Sequence, residues 1–314
     1  MSKTPIIFDC GPGYDDAIAL IIALANKEID VKAITTVWGH SSEENTTQNT
    51  LKILELCKKT NIEVGQGASK SFLREVFTGK LVYGESGMEG TLLPEPSIKP
   101  SGLQAVNLMS RVVTHSEYPI TIVATGPLTN VATFLLSNPT LKSKIDYVSL
   151  VGGGLYDGNE TYVAESNIWL DPEAAQVVMT SGIPVIFYGL NVTHKALILE
   201  EEFEIFRKSN NPISQYVADL LDFYSPYYMR TGDLMGCPMR DLCAIAGVID
   251  PRMFDYEHTK LAVDLDGCVS RGACYIDLRP EPRRNFPYNG KAAIDIDRKK
   301  FLELIIESCE NIYK

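Results

Sequence analysis

The chain is short of positive charge. It carries 29 Lys and Arg against 40 Asp and Glu, a net charge of −11. That balance weighs against a nucleic-acid backbone as partner. Long apolar runs are missing as well. The longest, Ala17–Ala25, has nine residues, where a membrane span needs ~20. No basic stretch with an apolar segment and a small-residue cleavage site opens the chain, so the expectation is a cytoplasmic protein. Cysteine pairing is not signalled. Cys10, Cys57, Cys237, Cys243, Cys268, Cys274 and Cys309 are odd in number, widely spaced and contain no Cys-x-x-Cys, which reads as reduced thiols rather than disulfides or a zinc site. There is no internal repeat and no linker rich in Pro, Gly or Ser. The Walker-type and dinucleotide-type glycine loops that cradle phosphate are both absent.

What is there is an ordinary globular composition, 45% hydrophobic and 22% charged over 314 residues, enough to bury ~75% of the unfolded surface. Short apolar runs alternate with amphipathic stretches. Strands are predicted at Pro5–Cys10, Val31–Val37, Ile120–Ala124, Ile145–Val151 and Pro184–Tyr188. Helices are predicted at Asp15–Asn26, Glu43–Lys58, Leu103–Thr114, Leu128–Ser137 and Pro172–Thr180. This order predicts an α/β fold, a mostly parallel open sheet with helices on both faces. After Thr193 the character changes. Glu200–Tyr228 reads as mostly helical with no strong strand, Arg240–Ile249 as a helix, Leu261–Val263 with Cys274–Asp277 as a late hairpin, and 299–313 as a closing helix. One domain over residues 1–314, with a helical insertion, is the expected organisation.

Ligands of open parallel sheets bind outside the carboxyl ends of the strands. The segments there are Asp9–Asp16, Trp38-Gly39-His40, Thr125-Gly126-Pro127, Gly152–Gly154 and Asn191–His194. The first is the richest. Asp9, Asp15 and Asp16 crowd around a Gly11-Pro12-Gly13 turn, and adjacent carboxylates are costly unless a cation or hydroxyl groups meet them. A hard cation such as Ca²⁺, which takes ~6–8 oxygens, suits such a cluster. On this segment alone, a solvated acidic helix start fits equally well. The acids would repel phosphate, which favours a neutral, hydroxyl-rich ligand such as a sugar.

The run Ile6-Ile7-Phe8-Asp9-Cys10-Gly11-Pro12-Gly13-Tyr14-Asp15-Asp16-Ala17 resembles the N-terminal signature of the inosine-uridine preferring nucleoside hydrolases, DxDPGxDDA. Further blocks follow in the family's order: Ala33–Val37, Ala124–Asn130, Gly158-Asn159, Ala164–Ile168, Asp171–Ala175 and Pro238–Asp241. The resemblance implies cleavage of the N-glycosidic bond of ribonucleosides by water held on a bound Ca²⁺. It implies Asp16, the Thr125 carbonyl and Asp241 as metal ligands. It implies Asp15, Asn159, Glu165 and Asn167 as ribose contacts, and Tyr224 and Tyr228 over the nucleobase. The plainer alternatives are turn-capping loops for Asn159, Glu165 and Asn167 and core packing on a helix face for Tyr224 and Tyr228, Tyr224 above all; Trp169 reads as packing. A homodimer or homotetramer is implied as well.

The pattern breaks at the reacting positions. Gly11 stands where the family carries the aspartate that acts as general base and bridging ligand. Arg240 stands where it carries the histidine that acts on the leaving base, and arginine keeps its proton. His40 replaces an Asn, Tyr83 a His, and Asn191 an Asp. Two expectations follow: a hydrolase impaired at these positions, with Asp9 or Asp15 as displaced base and Arg240 holding the base, or a nucleoside-binding homologue without turnover.

Overall fold

The computed structural model describes residues 3–75, 84–90, 93–155, 157–230, 234–279 and 287–313. Among the described residues there are twelve strands: β1 Thr4–Cys10, β2 Ile29–Thr36, β3 Val64–Gly65, β4 Ile120–Ala124, β5 Ile145–Val151, β6 Val185–Tyr188, β7 Leu197–Leu199, β8 Gly236–Pro238, β9 Phe254–Thr259, β10 Leu261–Val263, β11 Cys274–Ile276 and β12 Gly290–Ile296. Eight of them form the main sheet in the order β3-β2-β1-β4-β5-β6-β12-β9. All neighbours run parallel except β9, which is antiparallel to β12. The expected mostly parallel sheet is therefore present.

Strand period and burial explain the two-faced core. Side chains alternate across a strand, and in β1 Ile6, Phe8 and Cys10 join one buried cluster while Ile7 joins the other. The helix Tyr14–Ala25 is buried along nearly its whole length. It packs against the helices Leu242–Ile249 and Arg298–Asn311, so its sequence, apolar throughout from Ala17 to Ala25, is that of an interior helix. The opposite face is covered by the helices Ala105–His115, Thr129–Ser137 and Pro172–Met179.

The C-terminal third departs from expectation. Two strands, β9 and β12, extend the main sheet where none was expected. Their sequences carry weak signals: Phe-Asp-Tyr-Glu-His-Thr is polar along an edge, and β12 centres on two alanines, poor strand formers. Two short strands, β7 and β8, pair antiparallel. The hairpin β10–β11 forms as expected. The stretch Glu200–Tyr228 is mostly helical, as expected, and comes in pieces. A turn of 3₁₀ helix at Glu200–Glu202 leads into Phe203–Arg207, and a separate helix spans Pro212–Arg230. Asn211 starts that helix, its side chain accepting from the Ile213 N–H at 2.8 Å, with Pro212 at the position proline suits.

Candidate active site

The chain order reverses between β1 and β4, and the carboxyl ends of these two strands open the crevice where such sheets bind ligands. Asp9, next to last in β1, sits beside Ala124 of β4. It is wholly buried. Its Oδ1 accepts from Thr35 Oγ1 at 2.5 Å and from Asn130 Nδ2 at 2.8 Å. Its Oδ2 has no hydrogen-bond partner. Burial pushes this carboxyl up to about 7, against those two hydrogen bonds.

The turn after β1 brings in the next acids. Asp15 and Asp16 begin the helix Tyr14–Ala25. Asp16 Oδ2 accepts from the Gly11 N–H at 3.0 Å, and its Oδ1 accepts from the Thr125 hydroxyl. The Thr125 carbonyl accepts from Asn167 Nδ2 at 2.9 Å; the same amide donates to the Val151 carbonyl at 3.2 Å. Glu165 Oε2 accepts from the N–H groups of Gly153, Asn167 and Ile168 at 2.8, 3.0 and 3.3 Å, capping the short helix Ser166–Leu170. Asp16, Thr125, Asn167 and Glu165 thus form one buried chain of hydrogen bonds across the ends of β1, β4 and β5.

A second group meets it from the far end of the sequence. The carboxyls of Asp15 and Asp241 hydrogen-bond to each other, and the charge of Arg240 reaches both. Burial raises Asp15, Asp16 and Asp241 above the usual carboxylate range, and their mutual repulsion adds to the rise in Asp16 and Asp241. Arg240 Nη1 donates to Tyr228 Oη at 3.3 Å, with the guanidinium 5.1 Å from the Tyr228 ring centre. His40 is half-buried. Desolvation, then the Arg240 charge, lowers it to about 4, so its imidazole is neutral at pH 7.

The expected site residues thus largely converge: Asp15, Asp16, His40, Thr125, Glu165, Asn167, Tyr228, Arg240 and Asp241. Others stand apart. Asn159 is exposed, its Oδ1 accepting from the Ser166 N–H at 2.9 Å. Tyr224 is 1% exposed and stacks on Tyr14 with centroids 4.4 Å apart, the core-packing alternative. Asn191 donates to the Ala293 carbonyl of β12 at 3.0 Å. Trp169 packs by Val37 and Trp38, with Arg271 over its ring. Tyr83 lies outside the described residues. Sequence reasoning passed over Tyr14, whose hydroxyl donates to the Pro238 carbonyl at 2.9 Å and so fixes the approach to Arg240. It also passed over Asn130 as the clamp on Asp9. Both lie inside the family-like motifs, which was the available signal.

A sheet of this order, with carboxylates, amides and hydroxyls gathered at its reversal point, is the scaffold of an α/β enzyme for a small hydroxyl-rich ligand. The chain belongs to the inosine-uridine preferring nucleoside hydrolase family, whose model matches residues 6–303. It is 43% identical over 304 residues to the pyrimidine-specific ribonucleoside hydrolase RihA of Escherichia coli O1:K1, covering 96% of this chain and 97% of that one. The RihA of Salmonella paratyphi A is 44% identical over the same span. Among solved structures, the purine-preferring ribonucleoside hydrolase from Gardnerella vaginalis superposes with a TM-score of 0.91 at 29% identity, over 98% of this chain and 99% of that one. Family and relatives make this chain a ribonucleoside N-ribohydrolase.

The family is generally metal-dependent, and the donors here suit an ion poorly. Position 11 offers no side chain, and a Cβ built there would lie 2.9 Å from the Val37 carbonyl oxygen. Both oxygens of Asp16 and the Thr125 carbonyl already accept hydrogen bonds. Among the described residues, Asp9 Oδ2 is the one orphaned carboxylate oxygen that would welcome a cation. Among those same residues no three His, Cys, Asp or Glu side chains converge to hold a metal.

Proposed function

We propose that this chain binds ribonucleosides in the crevice between β1 and β4 and cleaves their N-glycosidic bond with strongly reduced turnover. Pyrimidine ribonucleosides are the favoured class, because the relatives at 43–44% identity are named for them. The carrying observation is position 11. The general base of the family signature is absent, and the backbone leaves a replacement Cβ only 2.9 Å from a carbonyl oxygen.

Breaking the bond from C1′ to the base builds oxocarbenium charge on the ribose. Carboxylates beside the sugar stabilise that charge, and Asp15 and Asp16 stand ready to do so. In this reading Glu165 and Asn167 line the ribose end of the crevice. Arg240 donates charge-assisted hydrogen bonds to the departing base but gives up no proton. Asp15, beside Arg240, or the buried Asp9 serves as the displaced base. The resemblance names Ca²⁺ as the ion, with Asp16, the Thr125 carbonyl and Asp241 to hold it. Those three fall well short of the ~6–8 oxygens calcium takes.

A missing general base costs roughly 10²–10⁴-fold. The test is release of uracil from uridine and of hypoxanthine from inosine by the purified chain at high enzyme concentration. Slow release with measurable uridine binding is expected. Turnover at the roughly 10 s⁻¹ of a typical enzyme would sink the proposal. Binding with no release at all would favour the second reading, a nucleoside-binding homologue.

A further inference from the structure

We propose that the guanidinium of Arg240 is the built-in counter-charge of the hydrogen-bonded Asp15–Asp241 pair at the sheet's reversal point, and that the crevice takes its ligand without a divalent cation. This rests on the nucleoside-binding reading above and specifies how that site is charged.

Buried carboxylates need a counter-charge or a proton, since an unpaired ion out of water costs several kcal/mol. In this cluster the acids are Asp9, Asp15, Asp16 and Asp241; the basic groups beside them among the described residues are His40 and Arg240, and Cys10, Tyr14, Cys237 and Cys243 face them as neutral thiols and phenol, held protonated by burial. His40 is neutral at pH 7. Arg240 stays protonated at any accessible pH. Its position is fixed by two contacts with Tyr228, the 3.3 Å hydrogen bond and the ring 5.1 Å from the guanidinium. Tyr228 in turn packs against Tyr14, centroids 5.9 Å apart. Tyr14 donates to the Pro238 carbonyl, two residues before Arg240. The cation is thus built into the aromatic wall of the crevice.

Apart from Asp9 Oδ2, the oxygens an ion would need are otherwise engaged. Asp16 accepts from Gly11 and Thr125, the Thr125 carbonyl accepts from Asn167, and Asp241 is hydrogen-bonded to Asp15. The backbone N–H at position 11 donates to Asp16, and glycine there supplies no carboxylate to add to the set. A second cation beside Arg240 would meet repulsion at short range. Ribose hydroxyls carry no charge, and carboxylates can accept from them directly, so a sugar does not need an ion here.

The experiment uses the full chain stripped with chelator. Calcium is titrated calorimetrically in the absence of nucleoside, and the melting temperature is read in chelator and in about 5 mM CaCl₂. An ion held with a Kd near 50 µM would then stand at about 100 times its Kd and raise the melting point by roughly 5 °C. The expected result is no saturable heat and no shift beyond an ionic-strength control. Stoichiometric calcium binding by the unaltered chain would overturn the proposal. Arg240→Gln is the second arm, read by the same melting shift. A folded variant that becomes calcium-responsive supports the role of Arg240, and a folded variant that stays indifferent overturns it. Should that variant fail to fold, the unaltered chain still decides. Uridine titrated in chelator separates the two readings: loss of nucleoside binding sinks the proposed function whatever calcium does.

Discussion

A single glycine carries more of the site's behaviour than any acid around it. Gly11 lies under the Val37 carbonyl, with Thr46 Cγ2 3.7 Å from where a Cβ would be. Any side chain there has to push on backbone at the end of β2. Overpacking of this kind costs about 1–3 kcal/mol. Gly11→Ala and Gly11→Asp should therefore both lower the urea midpoint by a similar amount, since both add the same Cβ. Gly11→Asp alone should recover little turnover, because the carboxylate arrives on a displaced loop. Denaturant titration of the pair checks the first statement and uridine hydrolysis the second. A Gly11→Asp chain as stable as the parent, with activity raised by orders of magnitude, would show that the position has merely lost its side chain.

Caps and clamps set the elements around the crevice. Asp171 is wholly buried at the start of the helix Pro172–Met179. Its Oδ1 accepts from the Ala174 N–H at 3.1 Å. Its Oδ2 accepts from the Phe72 N–H at 3.1 Å and the Thr129 hydroxyl at 2.7 Å. One carboxylate thus ties a loop, the helix after β4 and its own helix. Losing the cap costs about 1 kcal/mol, and each stranded donor adds about 1–3 kcal/mol. Asp171→Ala is expected to lose at least about 2 kcal/mol in chemical denaturation, with Asp171→Asn losing less because one acceptor remains. Equal stability for Asp171→Ala would mean that water satisfies all three donors. Asp171 also marks what a sequence can convey. It was legible as part of a motif, as were β1, β4 and β5, which are rich in apolar and β-branched residues because both faces of the sheet are covered. Tyr14 was hidden because its partners, Pro238 and Tyr224, are over two hundred residues away. The strands β9 and β12 were hidden because an edge strand can be polar and an alanine pair packs well only against a particular neighbour. The donors on Asp16 were equally invisible, since Gly11 contributes a backbone N–H that no residue letter announces.

The whole molecule's response to pH follows from opposing groups in one crevice. Asp9 and Asp16 are pushed up to about 7 by burial, from 3.8 in the open chain. A carboxyl raised in this way holds its proton in the folded state. Its stabilising contribution is complete below the unfolded value and is lost as pH climbs through the folded one. His40 works the other way. Lowered from 6.5 to about 4, it stays neutral while the unfolded chain takes up a proton, so its contribution is complete above 6.5 and is lost as pH falls towards 4. Across pH 5.5 to 7.5 the acids outnumber the histidine. The chain should therefore be more stable at the lower pH, by at least about 1 kcal/mol, since a tenfold change in proton affinity on folding is worth about 1.4 kcal/mol. His40→Asn removes the opposing group and should widen that gap. Urea midpoints of both chains at pH 5.5, 6.5 and 7.5 measure it. A chain that instead loses stability on acidification would have its crevice carboxylates ionised and fully paired in the folded state. The crevice would then be more strongly cationic than Arg240 alone can make it, and a calcium titration at pH 7.5 would have to give stoichiometric heat.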